Sequence, residues 1–248
     1  MKLPARIYHL AEAANWPSIR RVGLLSTKAL LDAVGTRGDE RNRIERFQRL
    51  ERVRLSTGVY VRDQKPMPEN ALKKCLVGME PWEWYTLINS KVFFWLDVDR
   101  LNRQRRACEP WPQVVLEVDT DRLLRRHAKR IALSPINTGN ARRRPAKRGR
   151  CTFVPYYEWA RSGWSTETEG LKLALHRQRH HPVELTVADA VPDIISAVVR
   201  VHRLGPGETF RPTFDKNGAT LRAFSRPAVS FRDECLELCH SRACKRDR

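Results

Sequence analysis

The run Val92-Phe93-Phe94-Trp95, inside "KVFFWLDVDRL" at 91–101, limits the folds open to this chain more than any other stretch. Four large apolar residues in succession cannot alternate between a core and water, so they demand a buried strand. "QVVLEVDTDRLLRRH" at 113–127 reads as a strand passing into a helix, and Ile7 to Leu10 as a short strand. Trp16-Pro17-Ser18 starts a helix with Pro just inside it, Ile19, Val22 and Leu25 share one face, and Gly23 ends it. A second helix runs from about Ser26 to Val34, capped by Ser26 or Thr27.

Further along, 37–54 alternates Arg with acidic residues at helical spacing over an apolar line of Ile44, Phe47 and Leu50. Thr57 to Met67 looks like a strand leaving a Gly turn and stopped by Pro66, and 183–203 like strand, Pro turn, short helix and strand. Strands and helices mix without regular βαβ alternation or a phosphate-binding Gly-rich loop, which makes the fold class α+β. The domain organisation expected is one domain over 1–230, with a basic loop at 140–150, and a C-terminal tail at 231–248.

Charge narrows the function. The 248 residues carry a formal net charge of +19, an excess that favours polyanions through phosphate contacts and counterion release. Six of the nine residues from Arg142 to Arg150 are basic, and Pro145 and Gly149 interrupt them, as in an exposed loop. No apolar stretch approaches the roughly 20 residues of a membrane span, so a cytoplasmic location is expected, with free thiols among the six cysteines. Cys235, Cys239, His240 and Cys244 lack the paired short spacing of a zinc site, and no metal is expected. Trp82, Trp84 and Tyr85 read as core.

The polar residues singled out for chemistry are His9, Arg62, Asp63, Gln64, Asn137, Thr138 and Glu184. Glu184 lies between Val183 and Leu185 at the start of an apolar strand, where an unpaired carboxylate is costly to bury. It reads either as a functional carboxylate or as one exposed on an edge strand. Taken alone, His9 reads as a structural histidine. Asn137 and Thr138, set before the basic loop, form a turn that can also face substrate.

The order of the pieces "YH", "NWPSIRRVGLLST" and "VELTVADAVPDII" resembles the DarT-type DNA ADP-ribosyltransferases. In that family a Tyr-His strand precedes an Asn-Leu-x-x-Ile-x-x-x-Gly-Leu helix, and a catalytic Glu heads a late strand followed by a Val-Pro turn. "VYVRDQKPM" and "NSKVFFW" look similar to uncharacterised bacterial proteins distantly akin to it. The resemblance implies an ADP-ribosyltransferase-like split mixed β-sheet with flanking helices and NAD, as co-substrate, in a cleft between its halves. It implies Glu184 as the catalytic carboxylate and His9, Ser26 and Thr27 as NAD-facing residues. The family's catalytic Arg matches no single position; among the arginines from Arg41 to Arg62, Arg62 is chosen because it sits on a strand beside Asp63 and Gln64, and the Arg-rich helix is its rival.

The expected activity is transfer of ADP-ribose from NAD to DNA or RNA, as in a toxin or defence effector, with Asn137, Thr138, Arg142, Arg143, Arg144 and Arg148 binding the nucleic acid. An antitoxin or a reversing hydrolase would then be a partner. A protein acceptor, or a non-catalytic nucleic-acid-binding module on the same scaffold, are the alternatives.

Overall fold

Apolar strands that bury both faces need layers on both sides, and the chain supplies them. A computed structural model describes residues 2–142, 145–171 and 180–212. In chain order the strands are β1 (Arg6–Glu12), β2 (Leu24–Leu25), β3 (Val53–Arg54), β4 (Tyr60–Val61), β5 (Lys91–Trp95), β6 (Gln113–Asp119), β7 (Ile131–Ser134), β8 (Val154–Pro155), β9 (Glu184–Ala188), β10 (Ala190–Val191) and β11 (Val198–Leu204). The helices are α1 (Trp16–Val22), α2 (Thr27–Ala33), α3 (Gly38–Glu45), α4 (Glu69–Lys73), α5 (Pro81–Asn89), α6 (Val98–Ala107), α7 (Thr120–His127), α8 (Tyr156–Ser162) and α9 (Ser165–Leu171). This is an α+β architecture, and Met1–Phe210 form one compact unit. The boundary expected at 230, the tail at 231–248 and its cysteines lie outside the described residues. No helix among the described residues is long and apolar enough to cross a membrane.

Seven strands form one sheet in the order β11-β6-β1-β5-β9-β7-β8. Its strand pairs are all antiparallel, which corrects the expectation of a mixed sheet. Successive residues point to opposite faces. Ile7, Phe94, Leu116 and Leu185 pack on one side against Ile19, Trp159 and Trp164. Tyr8, Trp95 and Val115 pack on the other against Leu101 of α6 and Phe210.

The sheet is jointed in the middle. β1 pairs with β6 from Arg6↔Asp119 to Glu12↔Gln113, but meets β5 only at Tyr8↔Trp95. β1 and β5 thus adjoin through a single residue pair within one continuous sheet.

Gly23 ties two distant motifs together. Its φ of +80° suits a residue without a Cβ, and a Cβ there would lie 2.4 Å from the Pro192 Cα. The short strand that follows it, β2, pairs with β10, so the Gly-Leu-Leu segment and the Val-Pro turn fit as one unit. Ser26 is the cap of α2, its Oγ accepting from the Ala29 N–H at 3.1 Å.

Two expected elements are shorter than their patterns imply. The helix over 37–54 stops at Glu45, and Phe47 and Leu50 are 53% and 63% exposed. The physical reason is Arg49, whose buried guanidinium donates to Ile44 O, Arg62 O and Asn89 Oδ1, capping the last turn with a side chain from beyond it. The strand over 57–67 contracts to β4, so Arg62 lies just past a strand rather than on one.

Candidate functional site

A cleft of about 600 Å³ opens beside the joint, within the range of small-molecule sites. Its walls are β1 from His9 to Glu12, the start of α2, residues 60–63 around β4, the first residues of β5, and the segment from Cys108 to Gln113. Asn15 fastens one wall by imitating a paired strand: its Nδ2 donates to Tyr60 O and its Oδ1 accepts from Tyr60 N–H, both at 2.8 Å.

His9, Ser26, Thr27 and Arg62 all line this cleft. His9 spans the joint, its Nδ1 2.8 Å from Phe93 O. A carbonyl only accepts, so Nδ1 carries the proton. Burial holds the imidazole below its ordinary pKa and hence neutral near pH 7, leaving Nε2 as an acceptor. Ser26 Oγ already serves the cap, and Thr27 is the first residue of α2.

Arg62 contributes the clearest vacancy in hydrogen bonding. Its Nε is buried and has no partner among the described residues, a costly state for a charged donor unless an acceptor arrives. Lys91, also in the wall, has its ammonium 4.6 Å above the Phe153 ring, and burial lowers its pKa.

Glu184 stands apart, outside the set of residues lining the cleft. It heads β9 between Trp95 and Ser134 on the neighbouring strands and is 4% exposed. Both carboxylate oxygens lie 3.2 Å from the Thr138 N–H, and Oε2 accepts from Thr138 Oγ1 at 2.7 Å. Desolvation pushes its carboxyl up from 4.5 to about 7, against the pull of the Thr138 bonds and of the Arg148 charge. The two residues were singled out separately, as catalyst and substrate contact; they are each other's partners.

The basic loop divides. Arg143 and Arg144 lie outside the described residues. Arg142 is exposed and donates to Lys65 O at 2.9 Å, which sets the start of the loop against the rim of the cleft. Arg148 is corrected: it is 1% exposed, with Nη1 donating to Thr138 O at 3.0 Å and Nε to Ala146 O at 3.1 Å. A guanidinium can satisfy its fork on backbone carbonyls as well as on phosphates, and charge counting does not distinguish the two. Asn137 is half-buried and closes its own turn, Oδ1 accepting from Gly139 N–H. Trp84 and Tyr85 are core, whereas Trp82 is 43% exposed beneath Arg46.

Sequence reasoning missed one group altogether. Arg52 pairs with Glu12 at 2.7 Å and lies 3.3 Å from the Trp111 ring centroid and 4.3 Å from that of Tyr60. Its signal, an isolated Trp between two prolines in "CEPWPQ", is visible but not interpretable without the fold.

Fold and site together define an α+β protein with a polar cleft of small-molecule size beside a joint in an antiparallel sheet. The chain belongs to a family of unknown function, DUF7002, whose model matches residues 5–198. That span takes in both the cleft and Glu184. No curated protein matches it.

Proposed function

We propose that this protein binds NAD in the cleft and transfers ADP-ribose to a nucleic acid. The observation that carries the reading is the convergence of His9, Ser26, Thr27 and Arg62 on one cleft: the first three are positions the resemblance to DarT-type transferases implies for NAD, and Arg62 is the arginine chosen from among the candidates for the family's catalytic Arg. The donor set fits such a ligand: the Arg62 guanidinium in the wall suits a pyrophosphate oxygen, and the neutral His9 Nε2 suits a ribose hydroxyl or an amide N–H. NAD would supply an ADP-ribosyl group whose bond to nicotinamide is already activated. Arg142 at the rim offers a first phosphate contact for the acceptor strand.

Glu184 is the carboxylate proposed to stabilise developing positive charge or to take the acceptor's proton. To do so it must exchange the Thr138 hydroxyl for the acceptor, so the 135–141 turn has to withdraw, and the reacting end of NAD has to reach past the residues that line the cleft. The enclosure of Glu184 favours a second reading, a non-catalytic module that binds nucleotide and nucleic acid. Incubation with labelled NAD and DNA or RNA separates them. Label on the nucleic acid supports transfer; salt-sensitive nucleic-acid binding without NAD consumption supports the module. Label appearing instead in lysate proteins moves the acceptor to protein. An antitoxin or a reversing hydrolase belongs to the first reading only.

A further inference from the structure

We propose that Trp111, backed by Arg52, is the adenine-stacking platform of the cleft and thereby sets the direction in which a dinucleotide lies. The inference rests on the NAD reading for its second half only. Trp111 lines the cleft and is 44% exposed, so part of its indole is presented there to a ligand. One ring face is taken by the Arg52 guanidinium at 3.3 Å, which Glu12 and the Tyr60 ring hold from other sides. Among the described residues no other ring or cation packs on Trp111. With one face held by a guanidinium, the indole offers exposed surface in the cleft suited to a planar ring.

Charge selects which ring. The nicotinamide of NAD is cationic, and stacking it over an indole already carrying a guanidinium sets two positive charges on either side of one ring. Adenine is neutral and electron-rich, and stacks without that repulsion. Along β1, Glu12 lies three residues beyond His9, about 10 Å at the strand rise. The cleft thus has a neutral imidazole at one position and a cation-backed indole further along, matching the cationic and neutral ends of a dinucleotide in that order.

The test measures binding of AMP, nicotinamide mononucleotide and NAD to the full chain and to its Trp111→Ala and Trp111→Phe variants. Stacking of this kind predicts that Trp111→Ala weakens AMP and NAD by about tenfold or more. Nicotinamide mononucleotide should change less than about twofold, and Trp111→Phe should recover most of the loss. Far-UV circular dichroism of both variants checks that the fold is kept.

Unchanged AMP affinity in Trp111→Ala overturns the platform. If NAD still binds the wild type in that case, the NAD reading stands without it. Wild type that binds AMP, with Trp111 dependence, but not NAD keeps the platform and removes the dinucleotide. No nucleotide binding to the wild type removes both. Loss of oligonucleotide binding in Trp111→Ala with AMP unaffected overturns the proposal and gives the ring to the acceptor strand.

Discussion

The cleft and the Glu184 pocket hold the same kinds of groups in opposite conditions. Beside the cleft, His9 Nε2 and the buried Arg62 Nε have no partner among the described residues. Around Glu184, the Thr138 N–H, the Thr138 hydroxyl and the Arg148 guanidinium close a network with little exposed surface. Unspent donors and acceptors beside open volume mark a surface prepared for a ligand, whereas a satisfied buried network marks a part that holds shape until something displaces it. On the proposed reading, binding and chemistry are separable by substitution.

The largest effect should come from Glu184→Gln. If the carboxylate acts on the reacting groups, transfer to nucleic acid falls by about a hundredfold or more while NAD affinity stays at the wild-type value. Wild-type transfer rates in the variant would reduce Glu184 to a shape-holding role. The same pair of proteins checks the raised carboxyl. The folded state keeps a proton that the unfolded state releases from about pH 4.5, so the stability this provides is complete below that pH and lost as pH rises through about 7. Thermal unfolding should thus show wild type losing ground to Glu184→Gln across that window; parallel melting curves at every pH would break the assignment.

Next in size is Arg62→Ala. Removing a charged donor to a phosphate should weaken NAD by roughly ten- to a hundredfold, with little loss of folding stability because its Nε has no partner to abandon. Calorimetric titration decides it. A large drop in melting temperature with unaltered NAD affinity would mean that Arg62 belongs to the closed kind of region.

His9→Ala should cost less, about two- to tenfold in NAD affinity, the range of one neutral hydrogen bond. Oligonucleotide binding should hold constant in parallel titrations. The reverse pattern would move His9 from the nucleotide to the acceptor.

The smallest effect sharpens the division within the basic loop. Arg142→Ser with Lys147→Ser, both exposed, should flatten the log–log salt dependence of DNA binding by about 1.8, at about 0.9 per phosphate contact. Arg148→Ser should leave that slope alone and lower the melting temperature instead. A flattened slope from Arg148→Ser would show that its carbonyl bonds open to reach phosphate.

By itself, the sequence determined where several central elements lie and which backbone positions are special. The apolar runs at 92–95 and 114–116, the Pro at the start of α1, the cap at Ser26 and the positive φ of Gly23 all follow from rules of period two, period 3.6 and local sterics. His9, Ser26 and Thr27, taken from the order of the motifs, and Arg62, chosen for its expected place on a strand, all line one cleft. Only the tertiary structure decided which polar groups are spent. Thr138 and Glu184 are 46 residues apart and meet because β9 sits in register beside β7. Arg49 ends α3 by reaching back to Ile44 O, and Arg52 meets Trp111 across the cleft mouth. Hydropathy periodicity is a property of a few adjacent residues. The partner of a guanidinium or a carboxylate is chosen by strand register and helix placement across the whole chain, and a formal charge of +19 says nothing about which of its members are already bonded.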